Sequence, residues 1–202
     1  MAKKELPYFT VGENGYGGAQ SWFTDRWMKV GGCAAVTACD SSIYFDIYRG
    51  THLYPKDVKK VIREDYLEFG MEMKPYLKPR FTGIDTLDIY MDGVKDFLAQ
   101  RGETRISMTP FDGESPYEAA REAVKKQIDG GFPIPTLTLR HSAPAMRDYV
   151  WHWYLITGYW YEYGMELVKV VTYGTWRWLA FDMLWNTGYS RKGGLVLFGE
   201  NK

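Results

Sequence analysis

The chain has 202 residues, its 25 lysines and arginines balance 25 aspartates and glutamates, and 17% of it is aromatic. That length suits a single domain able to bury a full core without cross-links, and nothing in the balanced charge argues for nucleic acid or an anionic membrane as a bulk partner, so neither is expected. No uninterrupted apolar run reaches bilayer-spanning length, so no membrane span is expected.

The first thirty residues are rich in glycine (Gly12, Gly15, Gly17, Gly18) and lead to Ala19-Gln20-Ser21-Trp22-Phe23; they read as loop. From Cys33 to Arg49 the helical wheel is apolar on nearly every side, through Ala34, Ala35, Val36, Ala38, Ile43, Phe45 and Ile47, which describes a central helix stopped at Gly50. After Pro55, Val58, Val61, Ile62, Tyr66 and Phe69 recur at helical spacing toward Gly70, and a third helix runs through Tyr90, Val94, Phe97 and Leu98 to Gly102. Arg105 to Thr109 alternates like a short strand. Ser115-Pro116 then reads as a cap and first helical residue of a helix reaching about Asp129, closed by Gly130-Gly131.

Beyond this point the period changes from about four to two. Strands are expected over Ile134 to Leu139, His152 to Trp160, Leu167 to Thr172 and Gly194 to Phe198, with a turn at Tyr163-Gly164 and a helical turn over Phe181 to Trp185. Helices first and an antiparallel sheet second make an α+β fold. The helical half covers about residues 1–130 and the β half about 131–202, with the central helix packed on the sheet.

Two cysteines are present, Cys33 and Cys39. Six residues apart on one helix, their Cα atoms would lie ~9 Å from each other, too far for a disulfide. Both are expected as free thiols, and with no apolar run behind Lys3-Lys4 a reducing, cytoplasmic location is expected. Cys33 follows Gly31-Gly32 at the helix start, where unpaired N–H groups and the positive end of the helix dipole favour thiolate. A lone cysteine on an apolar helix is otherwise an inert core residue.

Nucleophilic cysteine chemistry needs a base in hydrogen-bond reach and donors for the oxyanion. Of the three histidines, His52 and His141 sit in polar loop contexts, whereas His152 opens an apolar strand. No ligand spacing for a metal appears among Cys33, Cys39, His141 and His152, and Gly12 to Gly18 does not follow a strand as a phosphate-binding loop would. No metal and no cofactor are therefore expected.

The ordered blocks Gln20-Ser21-Trp22, Gly32-Cys33-Ala34-Ala35-Val36-Thr37-Ala38 and His152-Trp153-Tyr154-Leu155-Ile156-Thr157-Gly158-Tyr159 resemble the glutamine, cysteine and histidine blocks of papain-like cysteine peptidases. The similarity is closest to the branch related to the peptidases that process bacteriocin leaders at a double glycine. The resemblance implies a papain-like fold over residues 1–202, with Cys33 as nucleophile, His152 as general base, and Gln20 with the Cys33 N–H holding the oxyanion. It implies a peptide or protein substrate attacked through a thioester acyl-enzyme. Val171 falls where the family carries the asparagine or aspartate that orients the histidine; Thr172 or a backbone carbonyl would then take that role, or Cys33 and His152 would act as a dyad. Ala34 stands where many relatives carry glycine.

Six of the eight tryptophans follow residue 150, and Trp151, Trp153, Trp160, Trp176, Trp178 and Trp185 either line a groove or pack in the core. The alternative reading of the whole chain is a catalytically weak or inactive papain-like binding protein whose aromatic cleft takes a peptide or cell-wall fragment. The sequence leaves the oligomeric state open.

Overall fold

In the computed structural model, which describes residues 2–80 and 83–201, the central helix α2 (Cys33–Arg49) has the bounds its apolar wheel predicts. Every residue from Cys33 to Phe45 is buried, and Gly50 ends the helix in a left-handed conformation at φ 63°, its N–H returning to the Phe45 carbonyl. Glycine suits this cap because it meets no Cβ penalty at positive φ.

The structure is α+β, but its sheet draws on both halves of the chain. Seven strands pair antiparallel in the order β4 (Ile106–Asp112), β9 (Gly193–Glu200), β5 (Ile134–Thr138), β6 (His152–Glu162), β7 (Met165–Thr172) and β8 (Thr175–Ala180), with β1 (Ala2–Glu5) also on β6. β1 pairs with Gly158 to Tyr161, beyond the Ile134–Ile156 end of the β5 ladder, so β1 and β5 follow one another along β6. A bulge in the β6–β7 pairing between Ile156 and Gly158 marks the change.

Several expectations need correction. The first thirty residues are not loop throughout: they supply β1, a small hairpin of β2 (Thr10–Val11) with β3 (Gly15–Tyr16), a 3-10 turn over Gln20–Trp22, and α1 (Arg26–Gly31). β1 was hidden because Lys3, Lys4 and Glu5 are polar and exposed, as suits an edge strand. The helix expected from Val58 starts later, as α3 (Arg63–Met73). The Asp57 side chain accepts from the Lys59 N–H and its carbonyl from the Lys60 N–H, and this turn competes with a helix. Gly70 lies inside α3, where a Cβ would come 2.3 Å from the Phe23 ring. α5 (Tyr117–Asp129) begins with Pro116 in the cap position instead of Ser115. β8 was missed because Thr175 to Arg177 are exposed and carry no alternating apolar signal.

α4 (Leu87–Gln100) and the helical turn α6 (Phe181–Trp185) complete the helices. The core brings α4 onto β6 through Tyr90, whose ring stacks on Trp153 at 4.2 Å, while the Trp153 indole donates to the Ile84 carbonyl. Phe45 of α2 meets Phe198 of β9 edge to face at 4.8 Å. The six late tryptophans divide: Trp153 and Trp185 are buried, and Trp151 and Trp176 are exposed.

Candidate functional site

Cys33 owes its position to a short rigid lead. Asp25 caps α1 by accepting from the Met28 N–H and is itself paired with Lys74. The Gly32 N–H closes α1 on the Met28 carbonyl, and a Cβ on Gly32 would lie 2.3 Å from that oxygen. Only glycine lets α1 end and α2 start within one residue. Cys33 therefore opens α2 with the first-turn N–H groups around it, as the helix-start argument requires.

The Cys33 side chain is buried, with 8% of the residue exposed. Burial pushes its thiol pKa up, while the backbone N–H groups of Trp153, Ala34 and Cys33 itself point to the sulfur and pull it back. Trp153 immediately follows His152, so the sulfur lies against the strand that carries the imidazole. Cys39, one helical turn and a half further on, is fully buried, and its thiol is pushed well up by desolvation; both cysteines are free.

His152 opens β6. Along a strand side chains alternate, so His152 and Tyr154 share one face and Trp153 takes the other. Leu155 pairs with Val171 at the end of the β6–β7 ladder, and the same register continued by one residue sets Tyr154 opposite Thr172. Alternation thus sets Thr172 on the His152 side of the sheet and Val171 on the opposite side. The Thr172 hydroxyl lies 2.7 Å from His152 Nε2. Valine at 171 cannot hydrogen-bond the imidazole, and the polar contact comes from the next residue.

The ring of Tyr173 lies flat on the imidazole, 4.5 Å away and 6° from parallel, and the Tyr173 hydroxyl donates to the Asp148 carbonyl. His152 is 5% exposed, and this burial lowers its pKa to about 4. The imidazole is therefore neutral at pH 7. Among the described residues no hydrogen bond joins the Cys33 thiol to His152, so the expected direct pairing is not made in this conformation. A cavity of about 90 Å³ bordered by Tyr149, Thr172, Tyr173 and Trp176 adjoins the site and is well below the ~300 Å³ of ordinary small-molecule sites.

Gln20 stands in the 3-10 turn before α1. Its Nε2 donates to the Lys29 and Val30 carbonyls at 3.2 Å each, satisfying the last turn of α1, and its buried Oε1 has no partner among the described residues. The amide expected to serve an oxyanion is thus engaged with backbone. His141 bridges backbone, Nε2 on the Met183 carbonyl and Nδ1 accepting from Ala143 N–H, and His52 is exposed in an irregular segment.

No family model matches this chain, and no curated protein matches it. Among the described residues no cluster of three or more histidines, cysteines or carboxylates is placed to hold a metal ion, and no helix is long and apolar enough to cross a membrane.

Two residues of the site escaped sequence reasoning. Tyr173 could have been found from Tyr173-Gly174, a two-residue turn of the same composition as Tyr163-Gly164. Asp40 could have been found as the acid in the middle of the apolar wheel of α2, the helix's other acid, Asp46, lying in its last turn. Its carboxylate, fully buried, accepts from the Tyr66 hydroxyl at 2.7 Å, the Gly18 N–H at 3.0 Å and the Tyr8 hydroxyl at 3.1 Å. Desolvation raises its pKa to about 6 against the pull of these three donors. Gly18 also accepts through its carbonyl from the Gly174 N–H at 2.9 Å. Asp40 thus anchors the segment leading to Gln20, and that segment anchors the turn beside His152.

Proposed function

We propose that the chain is a papain-like thiol hydrolase that cleaves a peptide or amide bond, resting here in a closed conformation. The observation that carries this reading is the contact between Thr172 Oγ1 and His152 Nε2, made beside a cysteine held at a helix start. A hydroxyl on Nε2 fixes the ring and leaves Nδ1 to exchange a proton with the thiol.

In the reaction the thiol proton passes to Nδ1 as the sulfur bonds to the carbonyl carbon. The oxyanion is met by the Cys33 N–H and, once its amide leaves the α1 carbonyls, by Gln20. The imidazolium then protonates the leaving amine as the C–N bond breaks, and water releases the acid from the thioester. The substrate is a peptide or protein, and free thiols suit the cytoplasm.

A second reading, a binding protein without catalysis, is favoured by the absent thiol–imidazole hydrogen bond and by the engaged Gln20 amide. Iodoacetamide labelling at pH about 6 separates the two. A hydrolase labels Cys33 well ahead of Cys39, and Cys33→Ala abolishes the fast phase. Equal, slow labelling of both cysteines sinks the hydrolase reading.

A further inference from the structure

A polypeptide substrate has to reach an imidazole and a thiol that are both almost wholly enclosed, so some part of the wall must move. The wall differs from place to place in how firmly it is held. Thr172 is in the β7 ladder, paired with Thr175. The backbone of the following turn is fixed twice, by Gly174 N–H on the Gly18 carbonyl and Tyr16 N–H on the Gly174 carbonyl, and a Cβ on Gly174 would lie 2.8 Å from the Trp22 ring. The Tyr173 side chain is different: the residue is 45% exposed, and among the described residues its hydroxyl makes one hydrogen bond, to the backbone of the neighbouring 3-10 turn (Pro144–Tyr149).

The molecule contains its own comparison. Tyr163-Gly164 and Tyr173-Gly174 are both two-residue hairpin loops with positive φ at each position, 48° and 79° in the first and 56° and 73° in the second. Such turns favour asparagine at the first position, and a bulky residue there is strained. At the first turn the tyrosine stands 99% exposed, the outcome when turn geometry alone decides. At the second the same residue type, in the same backbone, is folded over His152.

We propose, resting on the thiol-hydrolase reading, that Tyr173 is a displaceable cover: its ring closes the site in the free protein and swings off His152 when a polypeptide enters. The turn stays in place because its backbone is tied to Gly18 and Tyr16, so opening needs side-chain rotation and the loss of a single hydrogen bond. The low pKa of His152 agrees with a closed resting site, since burial is its cause.

Tyr173→Asn tests this without endangering the fold, because asparagine suits the turn while removing the ring. Tyr163→Asn makes the same change at the sister turn. The readouts are the titration of His152 followed by NMR and its carbethoxylation rate. The cover predicts that Tyr173→Asn moves the His152 midpoint up from about 4 toward the ordinary imidazole range and speeds carbethoxylation severalfold, with Tyr163→Asn behaving as wild type. Tyr173→Phe, which keeps the ring and drops the bond to Asp148, falls between. An unchanged His152 in Tyr173→Asn, or an equal change in Tyr163→Asn, overturns the cover. Iodoacetamide labelling of the same variant keeps the two claims apart: a freed His152 beside a Cys33 that labels no faster than Cys39 overturns the hydrolase reading underneath.

Discussion

Thr172 Oγ1 sits 2.7 Å from His152 Nε2, and the pair lies on the opposite face of the sheet from Val171. Thr172→Val removes this hydroxyl at nearly constant shape. The lost hydrogen bond costs about 1 kcal/mol of stability by itself and more if the imidazole nitrogen stays unpaired. We expect denaturant unfolding to show a loss of that size, and the fast labelling of Cys33 to disappear with it. Thr172→Ser, which keeps the hydroxyl, restores both. Fast labelling that survives in Thr172→Val would show that something else orients the ring.

Asp40 and His152 pull the pH dependence of stability in opposite directions. Asp40 has its carboxyl raised from 3.8 to about 6, so its contribution is fully present below pH 3.8 and is lost as pH rises through 6. His152 is lowered from 6.5 to about 4, so its contribution is present above pH 6.5 and is lost as pH falls through 4. Each change of about two units corresponds to roughly 2–3 kcal/mol, and in wild type the two largely cancel between pH 4 and 6. Removing either partner uncovers the other. Relative to wild type, Asp40→Asn gains stability as pH rises from 4 to 6, and His152→Gln loses it over the same window. Guanidinium midpoints at half-unit steps of pH measure both slopes, and parallel curves for all three proteins would refute the assignment.

Tyr66 and Gly18 meet so closely at Asp40 that a single methyl is felt. A Cβ on Gly18 would lie 1.9 Å from the Tyr66 hydroxyl and 2.1 Å from the ring carbon bearing it. Gly18→Ala therefore has to displace a fully buried ring that donates to Asp40, and a loss of about 1–3 kcal/mol follows from overpacking. Tyr66→Phe relieves only the first of the two clashes and leaves Asp40 short of a donor. The double variant should then recover only a fraction of the Gly18→Ala loss, and a double-mutant cycle in urea reads that fraction. Full recovery would mean that the loop, and not the ring, absorbs the methyl.

What the sequence made legible follows the kind of signal involved. α2 was readable to the residue because its apolar wheel is continuous and Gly50 must adopt positive φ. β6 and the Tyr163-Gly164 turn were readable from alternation and turn chemistry. β1 and β8 were not, because edge strands exposed to water need no apolar alternation. In the site, the sequence leaves Thr172, a backbone carbonyl and an unassisted dyad all open, and the contact of Thr172 with His152 depends on how β6 and β7 pair, which no local pattern carries. Tyr173 and Asp40 act through contacts of long sequence separation, Asp40 with Gly18 and Tyr66, and no local pattern encodes these. The engagement of Gln20 with the end of α1 depends on where the 3-10 turn aims the side chain, which spacing alone does not fix.

The first strand is held by a charge that sequence patterning would place in solvent. Lys169 is buried in β7, where its ammonium meets the Glu5 carboxylate at 2.9 Å and the Tyr16 hydroxyl at 3.0 Å, with the Tyr16 and Trp176 rings within 5 Å. Both partners register the contact: the Lys169 pKa is raised despite desolvation, and that of Glu5 is lowered despite it. Removing only Glu5 leaves the ammonium buried with the Tyr16 hydroxyl and two ring faces, and such uncompensated charge is expensive. Glu5→Gln keeps a polar acceptor and should cost about 1–2 kcal/mol, and Glu5→Ala more, whereas Lys169→Met, which removes the buried charge and keeps the stem, should be milder than Glu5→Ala. Glu5→Ala should also open β1 locally, so amide exchange at Lys4 and Leu6, which pair with β6 or its continuation, should speed up before that of β7. Equal protection of these amides in Glu5→Ala and wild type would show that β1 is held by its backbone ladder alone.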